Sequence, residues 1–138
     1  MILGINHKRN GNGFHFVIIC DESGIFDSFN FLADQLAGKG TAILSLIYTV
    51  SDINQHPLFE KELCILERRY SERLIVHILR IDNKNFCFKQ ELLEATINSN
   101  TLPKMKFLVF GNTEFVNYVS GVLRFLDVKE FIINSKIL

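Results

Sequence analysis

The chain has 138 residues, enough for one domain and too few for two of ordinary size. Fifteen Lys plus Arg balance fifteen Asp plus Glu, and 22% charged against 48% hydrophobic residues is a globular composition, so a protein built chiefly to grip nucleic acid and a charged disordered tail are both excluded. Two prolines and eight glycines exclude collagen-like and linker-dominated chains, and thirteen Phe without Trp point to a core of aromatic packing.

Residues 1–13 carry the polar run Asn6-His7-Lys8-Arg9-Asn10, so no apolar signal-peptide region is expected there. They read as an N-terminal extension or edge segment before a domain over 14–138. Phe14 to Cys20 is a nearly continuous apolar run, the pattern of a strand covered on both faces. From Gly24 to about Ala37, Ile25, Phe29, Leu32, Ala33 and Leu36 recur at helical spacing, and Gly38 and Gly40 stop that helix. Thr41 to Tyr48 reads as a second strand. Pro57 is expected at the first position of the next helix, which carries Phe59, Leu63, Leu66 and Tyr70 on one face. Arg73 to Leu79 is a third strand, 80–87 a polar loop, and Lys89 to Asn98 a shorter helix. Pro103 breaks the chain before a fourth strand, Met105 to Phe110. A helix from Thr113, capped by Asn112 or Thr113, presents Phe115, Val119, Val122, Leu123 and Leu126, and Glu130 to Ile133 closes the pattern as a fifth strand.

This alternation predicts an α/β, Rossmann-like, three-layer αβα architecture with a five-stranded, mainly parallel sheet. Ligands of such sheets sit at the carboxyl ends of the strands where strand order reverses, which places functional residues after 20, 48, 79 and 110. No run approaches the ~18 apolar residues of a membrane span. Cys20, Cys64 and Cys87 are odd in number, scattered and in no metal-ligand pattern. The expectation is a cytoplasmic protein with reduced, mostly buried thiols and no metal, membrane or nucleic-acid partner.

Three stretches resemble the NAD(P)-binding domain of the ferredoxin–NADP reductase family, which includes the reductase components of bacterial oxygenases. Ser23-Gly24-Ile25 falls where the family has Gly-Ser-Gly-Ile-Thr-Pro after its first strand. Leu46-Ile47-Tyr48, Phe59-Glu60-Lys61-Glu62-Leu63, Arg69-Tyr70 and Val76-His77 follow a strand ending in Tyr, a Phe-x-x-Glu-Leu helix and a His-containing strand. Phe110-Gly111-Asn112 falls where the family has Cys-Gly-Pro, and Val128 fits its Gly-Val before the last strand. The match spans roughly 14–138. It implies strand order 3-2-1-4-5 and a dinucleotide site at Ser23, Gly24, Ile25, Tyr48, Thr49, Phe110, Gly111 and Asn112. Gly24, opening a helix, would turn backbone N–H groups toward a pyrophosphate, and Gly111 would pass the nicotinamide ribose.

The same resemblance marks departures. The family's first glycine falls on Glu22, its threonine on Phe26 and its proline on Asp27, so Asp21, Glu22 and Asp27 surround the expected phosphate position. Each carboxylate opposes a phosphate charge by ~1 kcal/mol at ~4 Å in water, against ~0.3–1 kcal/mol in favour from a helix terminus. The family's cysteine beside the transferred hydride falls on Phe110, and its terminal Glu-x-aromatic on Lys136-Ile137-Leu138, so no residue is assigned a catalytic role. The family's ribose-binding Asn-Arg falls near Val50-Ser51, with Asp52 adjacent, which favours NAD(H) over NADP(H). No flavin-domain motif is present, so a flavin would come from another chain, and a separate flavoprotein or self-association is the expected partnership. Two functions follow: an NAD(H)-linked, oxidoreductase-type dinucleotide-binding domain, or a catalytically inactive interaction or regulatory domain on the same fold.

Other constellations are weaker. His7, His15, His56 and His77 are scattered and read as structural or surface groups, and Arg68-Arg69 as a solvated helix end. There is no Gly-x-Ser-x-Gly elbow and no Walker lysine loop. Asp21-Glu22 with Asp82 resembles the acidic set of a phosphoacceptor receiver domain, which would hold Mg²⁺, but that domain's Thr/Ser after strand four is replaced by Gly111-Asn112.

Overall fold

A computed structural model describes residues 13–38, 40–81, 90–101 and 104–136. Five strands form one sheet in the order β3-β2-β1-β4-β5, and every neighbouring pair runs parallel. They are β1 (Phe14–Cys20), β2 (Ile43–Ser51), β3 (Leu74–Ile81), β4 (Lys104–Asn112) and β5 (Ile132–Lys136). Helices α1 (Ile25–Ala37), α2 (Glu60–Arg69), α3 (Gln90–Asn98) and α4 (Thr113–Phe125) connect them, with a 3₁₀ turn, Glu22–Gly24, leading into α1.

Alternating side chains divide the core into two layers. Ile18, Cys20, Leu44, Leu46, Tyr48, Val50, Leu108 and Phe110 face Ile25, Leu32, Leu36 and Leu63 of α1 and α2. Val17, Ile19, Ile47, Phe107 and Val109 face Leu93, Phe115, Val116, Val119 and Leu123 of α3 and α4. Val17, Ile18, Ile19 and Cys20 are wholly buried because β1 is covered on both faces, as its unbroken apolar run requires. At roughly 1.5–3 kcal/mol for each large apolar side chain, these two layers drive the fold.

Several boundaries move. β2 continues to Ser51, three residues past the expected Tyr48, because its edge stays paired with β3 through Ser51↔Ile81. β3 and β4 likewise run on to Ile81 and Asn112, and β5 lies at Ile132–Lys136 rather than Glu130 to Ile133. Pro57 does not open α2. Phe59 takes a left-handed conformation (φ 66°) and the helix begins at Glu60. That conformation costs an ordinary side chain about 1–2 kcal/mol, and Phe59 is held in it by stacking on Phe29, centroids 4.5 Å apart. Gly38 ends α1 with extended backbone instead of a left-handed cap. The expected 80–87 loop falls largely, and Pro103, Asp82, Cys87 and the segment 1–12 wholly, outside the described residues.

Candidate functional site

The strand order reverses at β1, which lies between β2 and β4, so the crevice lies at the carboxyl ends of these three strands. The chain leaves β1 through Asp21 and Glu22, and each side chain turns sideways along the sheet edge.

Asp21 ties β1 to β4. One carboxylate oxygen, Oδ1, accepts from Ser23 Oγ (2.7 Å) and Gly24 N (3.0 Å), the other, Oδ2, accepts from Asn112 N (3.2 Å), and Asp21 N donates to Phe110 O (3.3 Å). Glu22 ties β1 to β2. Its Oε1 accepts from Ser51 N at 2.7 Å, and its Oε2 accepts from Asn54 Nδ2. Asn54 continues this flank, accepting at Oδ1 from His56 N (3.1 Å), while its carbonyl accepts from Arg80 Nη1. Both carboxylates are half-buried. They are neither solvated loop charges nor aimed at one point, so the acidic set of a receiver domain is not assembled by these two residues. Among the described residues, no three His, Cys, Asp or Glu side chains group to hold a metal.

The expected site residues separate into two kinds. Ser23, Gly24, Gly111 and Asn112 come together at the crevice, but Ser23 Oγ, Gly24 N and Asn112 N are engaged by Asp21, and Asn112 Oδ1 caps α4 by accepting from Phe115 N at 2.8 Å. Ile25, Tyr48, Thr49 and Phe110 point into the core. Tyr48 is fully buried and donates its hydroxyl to Leu58 O (3.2 Å), and burial raises its pKa. Thr49 donates to Cys20 O (3.3 Å). The Phe110 ring lies in the layer facing α1 and α2, so it offers a ligand no stacking face. Burial pushes the Cys20 thiol up to about 12, which leaves it unreactive, whereas Cys64 is exposed. Asp52 is exposed and donates its backbone N–H to Ile81 O (2.9 Å), which leaves Glu22 as the carboxylate fixed at the end of β2.

The glycines have a packing reason of their own. A Cβ on Gly24 would lie 2.3 Å from Phe110 O, and one on Gly111 would lie 2.7 Å from Phe115 Cδ2 and 2.8 Å from Asp21 Oδ1. Their absence of a side chain lets the first turn of α1 rest against the end of β4.

No protein-family profile matches the sequence, and no curated protein matches it. Solved structures do. Ferredoxin-NADP+ reductase from Plasmodium falciparum superposes with a TM-score of 0.72 at 16% identity over 94% of this chain and 53% of that one. The CS-b5R domains of human Ncb5or, in the NAD+ form, give 0.72 at 14% identity over 93% of this chain and 38% of that one. The fold is that of the nucleotide-binding part of these reductases. The Plasmodium reductase with 2′P-AMP gives 0.64 at 13% identity over 95% of this chain and 54% of that one. The chain thus spans about half the length of the reductases it resembles, or less. The reductase-like fold, the strand order and the Rossmann-like architecture expected from the sequence all hold. No helix among the described residues is long and apolar enough to cross a membrane.

Proposed function

We propose that this is a reductase-type domain that binds a nicotinamide dinucleotide weakly at the carboxyl ends of β2, β1 and β4, with NAD(H) preferred over NADP(H) and a flavin supplied from outside these residues. The observation that carries the reading is Glu22, whose carboxylate is held against Ser51 N at the end of β2. A carboxylate fixed there suits the hydroxyls of an adenosine ribose, which donate, and opposes a 2′-phosphate, which accepts only. At an effective dielectric of about 20, two like charges ~4 Å apart repel by ~4 kcal/mol. The residues therefore fit the ribose. They fit a pyrophosphate poorly, because the N–H groups of Gly24, Asn112 and Ser51 that would meet it are held by Asp21 and Glu22.

That same engagement of donors favours a second reading, an interaction or regulatory domain that retains the fold without the ligand. Calorimetric titration with NADH and NADPH separates the two. The first reading expects NADH to bind more tightly than NADPH, and Glu22→Gln to gain affinity for NADPH by about tenfold or more, equivalent to ~1.4 kcal/mol. Absence of heat with either dinucleotide at millimolar concentration, in the native chain and in Glu22→Gln alike, leaves only the second.

A further inference from the structure

The other end of the sheet carries a polar constellation that the dinucleotide reading does not use. On the face covered by α3 and α4, β1, β2 and β3 present Val17, Ile19, Ile47 and Leu79 toward their carboxyl ends. Toward their amino ends the same face presents His15, Ser45 and His77. His15 and Ser45 are buried, at 5% and 3% exposure. His15 Nε2 lies 2.8 Å from Ser45 Oγ, and His15 Nδ1 lies 3.1 Å from Asn100 Oδ1, just beyond the end of α3. Asn100 Oδ1 can only accept, so Nδ1 carries the proton, and Nε2 is left with its lone pair directed at the Ser45 hydroxyl. Burial lowers the pKa of His15, which keeps the ring in this neutral state.

These groups line a pocket of about 370 Å³, whose walls also include Ile43, Ile75, Leu92 and Ala95, with Glu72 and His77 as its other titratable groups. An apolar corner would have stabilised the core without the cost of burying the polar side chains of His15 and Ser45. What stands there is a hydroxyl bonded to a neutral imidazole, whose second nitrogen is oriented by an amide, all beside space for a small molecule. Nucleophile, base and orienting group in that order are the parts of an activated serine.

We propose that Ser45 is a nucleophile of a second site, with His15 as its general base and Asn100 as the positioning residue, and that the site takes small esters with a short, uncharged acyl group. Ile43, Ile75, Leu92 and Ala95 supply the apolar wall for that acyl group. Ser45 Oγ forms a bond to the ester carbonyl carbon while its proton passes to His15 Nε2. The tetrahedral adduct collapses, the bond to the alcohol oxygen breaks, and the departing alkoxide takes the proton from His15. Water then attacks the acyl-serine, giving its proton to His15, and the carboxylic acid leaves as Ser45 recovers its hydrogen. The backbone N–H groups of β2 are committed to the sheet, so charge on the carbonyl oxygen must be met by side chains such as His77, and turnover is expected to be slow.

The test is labelling of the whole chain with a small alkyl fluorophosphonate, read by intact mass and peptide mapping. The Ser45 Oγ–P bond forms, fluoride leaves, and His15 takes the proton. The expected result is a single adduct on Ser45, absent in Ser45→Ala and formed about a hundredfold more slowly in His15→Gln. Asn100→Ala is expected to slow labelling and Asn100→Asp, which keeps the acceptor, to restore it. Circular dichroism establishes that each variant is folded. Ser120, buried on the same face with no hydrogen-bond partner for its hydroxyl among the described residues, is the internal control and stays unlabelled. A native chain that takes no label at Ser45, or that labels as fast without His15, overturns the proposal.

Discussion

At the scale of single residues, the crevice is governed by atoms that are missing and by carboxylates that reach sideways. Gly24 has ordinary negative φ (−99°), so its requirement is space and not backbone freedom. Gly24→Ala sets a methyl 2.3 Å from the Phe110 carbonyl oxygen, backbone that cannot swing aside. Urea unfolding is expected to show a loss of about 3 kcal/mol or more, the upper end for overpacking. A loss under about 0.5 kcal/mol, the scale of a neutral surface change, would mean that the turn has room to shift. Neither this contact nor the path of Glu22 could be read in advance. Ser51, which Glu22 meets, is 29 residues along the chain and becomes its neighbour only through the pairing of β1 with β2. The sequence showed a run of acidic side chains at a loop, and charge alone says nothing of which backbone donor each will find. The serine and histidine of the second pocket did leave a trace: His15 and Ser45 interrupt apolar strands at positions that alternation assigns to the core.

At the scale of elements, strand–helix alternation was legible because each strand is an apolar run and each helix carries a stripe. The ends were less so. A parallel strand stops where its neighbour stops, as Ser51 does with Ile81 and Asn112 with Lys136, and that is a property of pairs. The start of α2 departs from the local rule for a different reason. Pro57 satisfied the local rule, but aromatic stacking of Phe59 on Phe29 decided the turn. In α4 both ends of the polar ledger can be measured. Asn112→Ala removes the bond to Phe115 N and is expected to cost about 1 kcal/mol, the usual loss of an N-cap. Ser120→Ala removes a buried hydroxyl that has no partner among the described residues, and is expected to leave stability unchanged or raise it by up to about 1 kcal/mol. The opposite order of the two variants in urea midpoints would refute this account of the helix.

At the scale of the whole molecule, the buried imidazole makes stability depend on pH. Burial depresses the folded-state pKa of His15 below its ordinary 6.5, so between those two values the unfolded chain binds more protons than the folded one. Unfolding free energy therefore rises with pH through that window. The contribution is complete above 6.5 and is lost as the solution is acidified toward the folded-state value. His15→Gln should flatten this dependence relative to the native chain. Equal slopes for the two proteins between about pH 5 and about pH 7 would show that other groups carry it.

The central place of β1 has a consequence for how the molecule comes into being. A ribosome delivers β1, β2 and β3 first, and these three already pair side by side. The other edge of β1 has to wait until Lys104–Asn112 has left the exit tunnel, as do Asp21's bond to Asn112 N and the α4 residues that cover Val17 and Ile19. Until then the nascent chain displays its most apolar strand with one open edge, the surface on which β-rich chains pair wrongly. Its yield in a cell should accordingly depend on chaperones that shield that strand until β4 arrives.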